Sequence, residues 1–323
     1  MESALQHYWQ QLSLATQPPP QRGSSLVFDQ KRQQTVLVAD GGTWLWDGTN
    51  WREAQSQSAP PVRNTTHLVY DSTTGCVLLF GGIGIDGTPL NDVWLWNGTL
   101  WIEQHPATFP SPVGGASMAC DTSRQQVILF GGLMGFDGVN GSNRVGTFSD
   151  QTWIWDGTTW TEQTISNPPP ARMGGQLIYD QTRQQVLLFG GNGPSGYLND
   201  MWLWHGDDWE KLAPGALPPM QTRTYATFHT QLQQVLLLID VPAETFQAQH
   251  TYQSWLWDGT SWSQSTASKV LPGSIEGFAY DGMHQTVVAY VVTGSKAPLS
   301  DKSSGARLPE IAAPTLASET WIW

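Results

Sequence analysis

Charge is scarce in this chain, and positive charge most of all. Only 13% of the 323 residues are charged, five of these are lysine, and the formal net charge is −12. Nucleic-acid phosphates need a basic face, so no nucleic-acid partner is expected. An anionic membrane surface is disfavoured for the same reason. No run of about 18 apolar residues is present, so no membrane span is expected. The N-terminal stretch lacks a basic segment followed by an apolar one. No export signal is read there, and the expected compartment is the cytoplasm unless such a signal has been removed. There are two cysteines, Cys76 and Cys120, both within apolar runs. They are expected as two buried thiols, not a bridge. Without a CxxC pair or a Cys/His cluster, no zinc site is expected. No nucleophile elbow or phosphate loop occurs.

Tryptophan, by contrast, is abundant: 18 residues on one lattice. Five sets read Trp-x-Trp, four residues, Trp: Trp44/Trp46/Trp51, Trp94/Trp96/Trp101, Trp153/Trp155/Trp160, Trp202/Trp204/Trp209 and Trp255/Trp257/Trp262. A sixth set begins at Trp321 and Trp323, where the chain stops. Its third member is supplied at the other end by Trp9, which precedes Pro18-Pro19-Pro20 as Trp160 precedes Pro168-Pro169-Pro170. The first element is expected to complete the last.

Each unit is too small to bury its own core and must stack on its neighbours. The fourth unit shows the pattern. Gly174–Tyr179 reads as a short apolar strand, and Gln185–Phe189 as a strand buried on both faces. Gly190-Gly191 ends it, and Asn199–Trp204 and Trp209–Leu212 form a hairpin. The hairpin turns carry Asp47-Gly48, Asn97-Gly98, Asp156-Gly157 and Asp258-Gly259, which supply the positive φ of tight turns. The tryptophans are read as packing between units, since side chains two apart share a strand face.

Six such units resemble kelch repeats, of the bacterial or galactose-oxidase-like type. The marks are the double glycines Gly81-Gly82, Gly131-Gly132 and Gly190-Gly191, with an aromatic and a tryptophan beyond. Units one, five and six depart, with Ala39-Asp40, Asp240-Val241 and Val291-Val292. The resemblance implies an all-β, six-bladed β-propeller of four-stranded antiparallel blades, the last closed by the N-terminal strand. The blades would span about 21–55, 62–105, 113–165, 172–213, 222–265 and 274–323 plus 7–13, in one domain over 1–323.

Variation in unit length lies between the second and third strands, as in Leu133–Gln151, Pro242–Gln253 and Thr293–Glu319. Long loops on one rim of a rigid scaffold are the expected binding face. Phe136, Arg144, Tyr197 and Phe246 are its candidate contacts. Arg22, Arg63, Arg172 and Arg223 each follow a proline-rich linker and would form a cationic ring at a channel mouth, with His67 and Glu276 close by. In eukaryotic kelch receptors, arginines near the channel mouth help bind acidic peptides. The resemblance therefore implies a non-catalytic binding or interaction module. A protein or acidic peptide is the expected partner, with a small anionic ligand or an oligosaccharide as alternatives, and a monomer is expected. An enzyme with its active site at the channel mouth and a carbohydrate-binding propeller stay open. No catalytic residue, metal ligand or cofactor is assigned, because the seven histidines are scattered. Asp137–Asn143 only loosely resembles a calcium loop and lacks the bidentate acid at its end. The recurrent aspartates Asp29, Asp71, Asp121, Asp180 and Asp281 read as turn stabilisers.

Overall fold

A computed structural model describes residues 9–137, 145–219, 223–241, 250–265, 269–294 and 316–323, and these are all-β. Six larger antiparallel sheets follow one another along the chain. The first holds Ser25–Asp29, Gln34–Ala39, Gly42–Trp46 and Trp51–Glu53. The second holds His67–Asp71, Cys76–Gly84, Pro89–Trp96 and Trp101–Gln104, with Arg63–Asn64 added on the long second strand. The third holds Ser117–Asp121, Gln126–Phe130, Thr152–Trp155 and Trp160–Glu162, and the fourth Gln176–Asp180, Gln185–Phe189, Met201–Trp204 and Trp209–Leu212. The fifth holds Thr224–His229, Gln234–Val241, His250–Trp257 and Trp262–Gln264, with Lys269–Leu271 beside the third strand. The sixth joins Gly273–Asp281, Thr286–Thr293 and Ala317–Ile322 to Gln10–Leu12 from the other end of the chain.

Two further sheets are separate. Leu133–Asp137 pairs with Val145–Phe148 and Val113–Gly114, and Asn192–Gly193 pairs with Gly196–Tyr197. The expected six-bladed kelch-type propeller of uniform four-stranded blades is corrected here. The chain forms eight small antiparallel sheets of two to five strands, and none closes on itself.

The double glycines explain the division. Gly131, Gly132, Gly190 and Gly191 all take positive φ, which turns the backbone out of the ladder. The second strands of sheets three and four therefore end at Phe130 and Phe189, and the chain beyond pairs elsewhere. In sheet two, Gly81-Gly82 makes an irregularity inside a continuous strand. Sheets five and six have side chains at this place, and their second strands run on unbroken for eight residues. In sheet five, Leu237 pairs with Trp255 as Leu79 pairs with Trp94. Ile239-Asp240, not Asp240-Val241, is thus the counterpart of the double glycine.

The tryptophans pack within and between sheets. Across each outer hairpin two indoles meet, as in Trp46–Trp51 at 5.3 Å and Trp204–Trp209 at 5.1 Å. Burial of each ring stabilises the fold by roughly 1.5–3 kcal/mol. Where the preceding sheet offers a threonine, the hairpin indole donates backward to it: Trp101 Nε1 to Thr43 Oγ1 at 2.8 Å, and Trp209 Nε1 to Thr152 Oγ1 at 3.0 Å. Trp51 Nε1 does the same to Thr320 Oγ1 at 2.8 Å, linking the first sheet to the sixth. Trp9 is buried against Trp323 and Phe278.

The turn aspartates behave as read from sequence. Asp71 is fully buried and accepts the Thr73 amide and the Thr74 hydroxyl. Cys76 and Cys120 are free thiols, the second buried and the first half-buried.

Candidate functional site

The first strands of the six larger sheets lie side by side in sequence order. Ser25–Asp29 packs against both His67–Asp71 and Gly273–Asp281, so the succession returns to its start. Together these strands line a cavity of about 910 Å³. Its lining includes the hydroxyl-bearing residues Ser24, Ser25, Thr66 and Thr227 and the aromatic residues Phe28, Tyr70, Tyr179, Tyr225, Phe278 and Tyr280.

Neighbouring first strands are joined through side chains. In register, Ser25, His67, Ser117, Gln176, Tyr225 and Gly277 stand at one level of the six first strands, opposite Val38, Phe80, Phe130, Phe189, Leu238 and Tyr290; all but the buried Ser117 line the cavity. Ser25 Oγ accepts the Leu68 amide at 3.1 Å, and Gln176 Oε1 accepts the Ala226 amide at 3.1 Å. Ser117 donates to the Gly175 carbonyl, and Tyr225 donates to the Ile275 carbonyl at 2.6 Å. These bonds satisfy backbone groups at strand edges that no ladder reaches. Burial raises the Tyr225 phenol, and the Glu276 charge raises it further.

His67 breaks the series. Among the described residues its imidazole has no hydrogen-bond partner, and burial pushes its pKa down to about 4. Two residues before it, Thr65 holds a φ of 53°, uncommon for a β-branched residue, and its buried hydroxyl also lacks a partner.

Among the cavity-lining residues the ordinarily charged side chains are Arg223 and Glu276. They approach to 3.6 Å, with the arginine side chain 63% exposed and the glutamate 3%. Glu276 is held by other donors, the Gly23 amide at 2.8 Å and the Ser274 hydroxyl at 2.6 Å.

The expected arginine ring does not assemble, and the expected function of the loop-bearing face and channel mouth is corrected with it. Arg63 and Arg172 are buried in two-pronged pairs with Asp92 and Asp200. Each also donates to a glycine carbonyl, Gly81 or Gly190. Burial works to raise both aspartate pKa values, but the arginine hydrogen bonds and charges outweigh it and hold them low. These guanidiniums are spent on the chain at the double glycines and on the aspartates two residues before each Trp-x-Trp pair. Arg22 donates to the Gly294 carbonyl at 3.2 Å. Arg223 lies six residues before His229, whereas Arg63 and Arg172 lie eight before Asp71 and Asp180, so it occupies a different level.

Of the loop candidates, Tyr197 is 53% exposed and borders the cavity. Phe136 lies on Leu133–Asp137. Arg144 and Phe246 lie outside the described residues. Sequence reasoning missed Gln176, Tyr225 and Thr227 as wall residues. Gln176 and Tyr225 stand four residues before their turn residues Asp180 and His229, as Ser25 and His67 stand before Asp29 and Asp71, and that spacing is the signal that finds them; Thr227 lies two residues further along the same strand. Asp92 and Asp200 were also missed, although each stands two residues before a Trp-x-Trp pair.

Among the described residues no helix is long and apolar enough to cross a membrane, and no group of three His, Cys, Asp or Glu side chains is placed to hold a metal ion. No protein-family model and no curated protein matches the chain, so the kelch resemblance gains no support from relatives.

Proposed function

We propose that this protein binds a small polar molecule in the cavity bounded by its six inner strands. The observation that carries this reading is the cavity itself. Its volume of about 910 Å³ falls in the range that suits small ligands, and both hydroxyl-bearing and aromatic residues line it. An acidic peptide is a weaker candidate than a small neutral molecule or oligosaccharide. Arg223 is the one guanidinium on the wall, and Glu276 stands 3.6 Å from it. The role is read as binding and not catalysis. His67 is the one histidine among the lining residues, and no hydroxyl or thiol is hydrogen-bonded to it.

A thermal-shift screen of neutral saccharides, polyols and small amides tests the reading, run on the intact protein and on Met173→Trp. Met173 is a half-buried lining residue, and an indole there would fill the cavity. Stabilisation of the intact protein that disappears in a folded Met173→Trp variant is the expected result. Stabilisation that survives the filled cavity would move the site elsewhere.

A further inference from the structure

The wall of the cavity repeats, and the repeat identifies the residue that departs from it. At one level of the first strands, Ser25, Ser117, Gln176 and Tyr225 each spend their polar atoms on the next strand. Gly277 has no side chain to offer. His67 has a polar ring at this level and makes no such bond. His67 is half-buried, and its ring nitrogens are not among the buried polar atoms left without a partner, so the imidazole is open to the cavity and available to a bound molecule. Two residues earlier the chain is left-handed in sheets one, three and four as well, at Gly23, Gly115 and Gly174, whereas sheet two places a side chain there, Thr65, whose hydroxyl is unpaired. Unfavourable backbone conformations persist where the surrounding structure enforces them and tend to mark functional sites.

We infer that His67 is the ligand-reading residue of the cavity, hydrogen-bonding an uncharged group of the bound molecule. The inference rests on the cavity being a ligand site. A neutral imidazole carries one donor and one acceptor. Its complement is a hydroxyl or carboxamide, which can supply both functions at once. A carboxylate has no donor for the acceptor nitrogen, and an ammonium has no acceptor for the ring N–H. The aromatic residues that line the cavity add apolar faces but no formal charge. The matching ligand is therefore an uncharged polar molecule bearing hydroxyl or amide groups.

The repeat also supplies the test variants. His67→Ser installs the residue type that sheets one and three use at this level. His67→Gln installs that of sheet four, whose carboxamide both donates and accepts. Calorimetric titration at pH 7.5 would use a panel of neutral mono- and disaccharides and N-acetyl amino-acid amides. The intact protein and both variants would be titrated, with melting temperature recorded for each.

At least one panel member is expected to bind the intact protein. The same probe should bind His67→Ser at least tenfold more weakly, with an unchanged or higher melting temperature, and His67→Gln with intermediate affinity. Equal binding to His67→Ser would overturn the role of His67 and leave the cavity reading standing. A large fall in the melting temperature of His67→Ser would overturn it too, by showing that the imidazole supports the fold. Failure of every probe to bind the intact protein would overturn the cavity reading and this inference together.

Discussion

Single side chains in this protein divide into those locked by partners and those left for other work. Arg172 is the clearest locked case, 1% exposed and gripped by Asp200 and two backbone carbonyls. Arg172→Met would leave a buried carboxylate without its cation and is expected to cost about 3–5 kcal/mol, read by urea unfolding. Pairing it with Asp200→Leu should recover part of that loss, because no charge is then stranded. His67 is the contrasting case and carries a pH signature. Its pKa falls from 6.5 to about 4 on folding. Between those values the unfolded chain binds a proton that the folded chain does not, so stability is lost as pH falls through that window. The loss is on the order of 1–3 kcal/mol, with the lower part of the range allowing for water in the cavity. Unfolding at pH 7.5 and pH 4.5 should differ by that amount more in the native protein than in His67→Ser. An equal pH response would remove the imidazole from the account.

Elements in this chain are set by short local signals, and these were the most legible part of the sequence. The four pairs Asp47-Gly48, Asn97-Gly98, Asp156-Gly157 and Asp258-Gly259 do mark outer hairpins. The glycine has a second duty that the turn chemistry did not reveal. At Gly98, φ is 99°, and a Cβ would run into the side chain of Arg32 from the preceding sheet. Arg32 in turn donates to the Gly75 carbonyl at 3.0 Å, so one arginine ties two sheets together. Gly98→Ala is expected to cost about 1–3 kcal/mol in chemical denaturation, from both φ strain and the displaced arginine. The double glycines were legible as strand ends, but not as the cause of two extra sheets. Whether Gly81-Gly82 bends a continuous strand or Gly190-Gly191 terminates one depends on what the following loop can pair with. The arginines misled for a related reason. Arg63 and Arg223 look alike after a proline-rich linker. Their fates depend on Asp92, which is distant in sequence, and on a two-residue difference in level.

At the scale of the whole molecule, the ends of the chain depend on each other. Gln10–Leu12 pairs with Thr320–Ile322, and Trp9 is buried against Trp323. This partnership could be read from the tryptophan lattice, because a hairpin lacking its third tryptophan at Trp323 finds one at Trp9. Removal of residues 1–15 should expose the edge of the final strand and the indole of Trp323. The expected outcome is a lower melting temperature with broadened, less cooperative unfolding by circular dichroism. An unchanged melt would show that the terminal strand contributes little. The cavity could not be read in the same way. It exists only because six first strands, each unremarkable alone, stand side by side, and no single unit shows which face they turn inward. The long loops drew attention because they vary, whereas the wall that carries the proposed site varies by one residue at a time.

Hydrogen–deuterium exchange on the intact protein, with and without the tightest-binding neutral probe, tests the central claim most directly. The account expects added protection on the inner strands, foremost His67–Asp71 and its neighbours Ser25–Asp29 and Ser117–Asp121. Protection confined to the Leu133–Asp137 and Val145–Phe148 hairpin, with none on the inner strands, would contradict it and return the site to the loops.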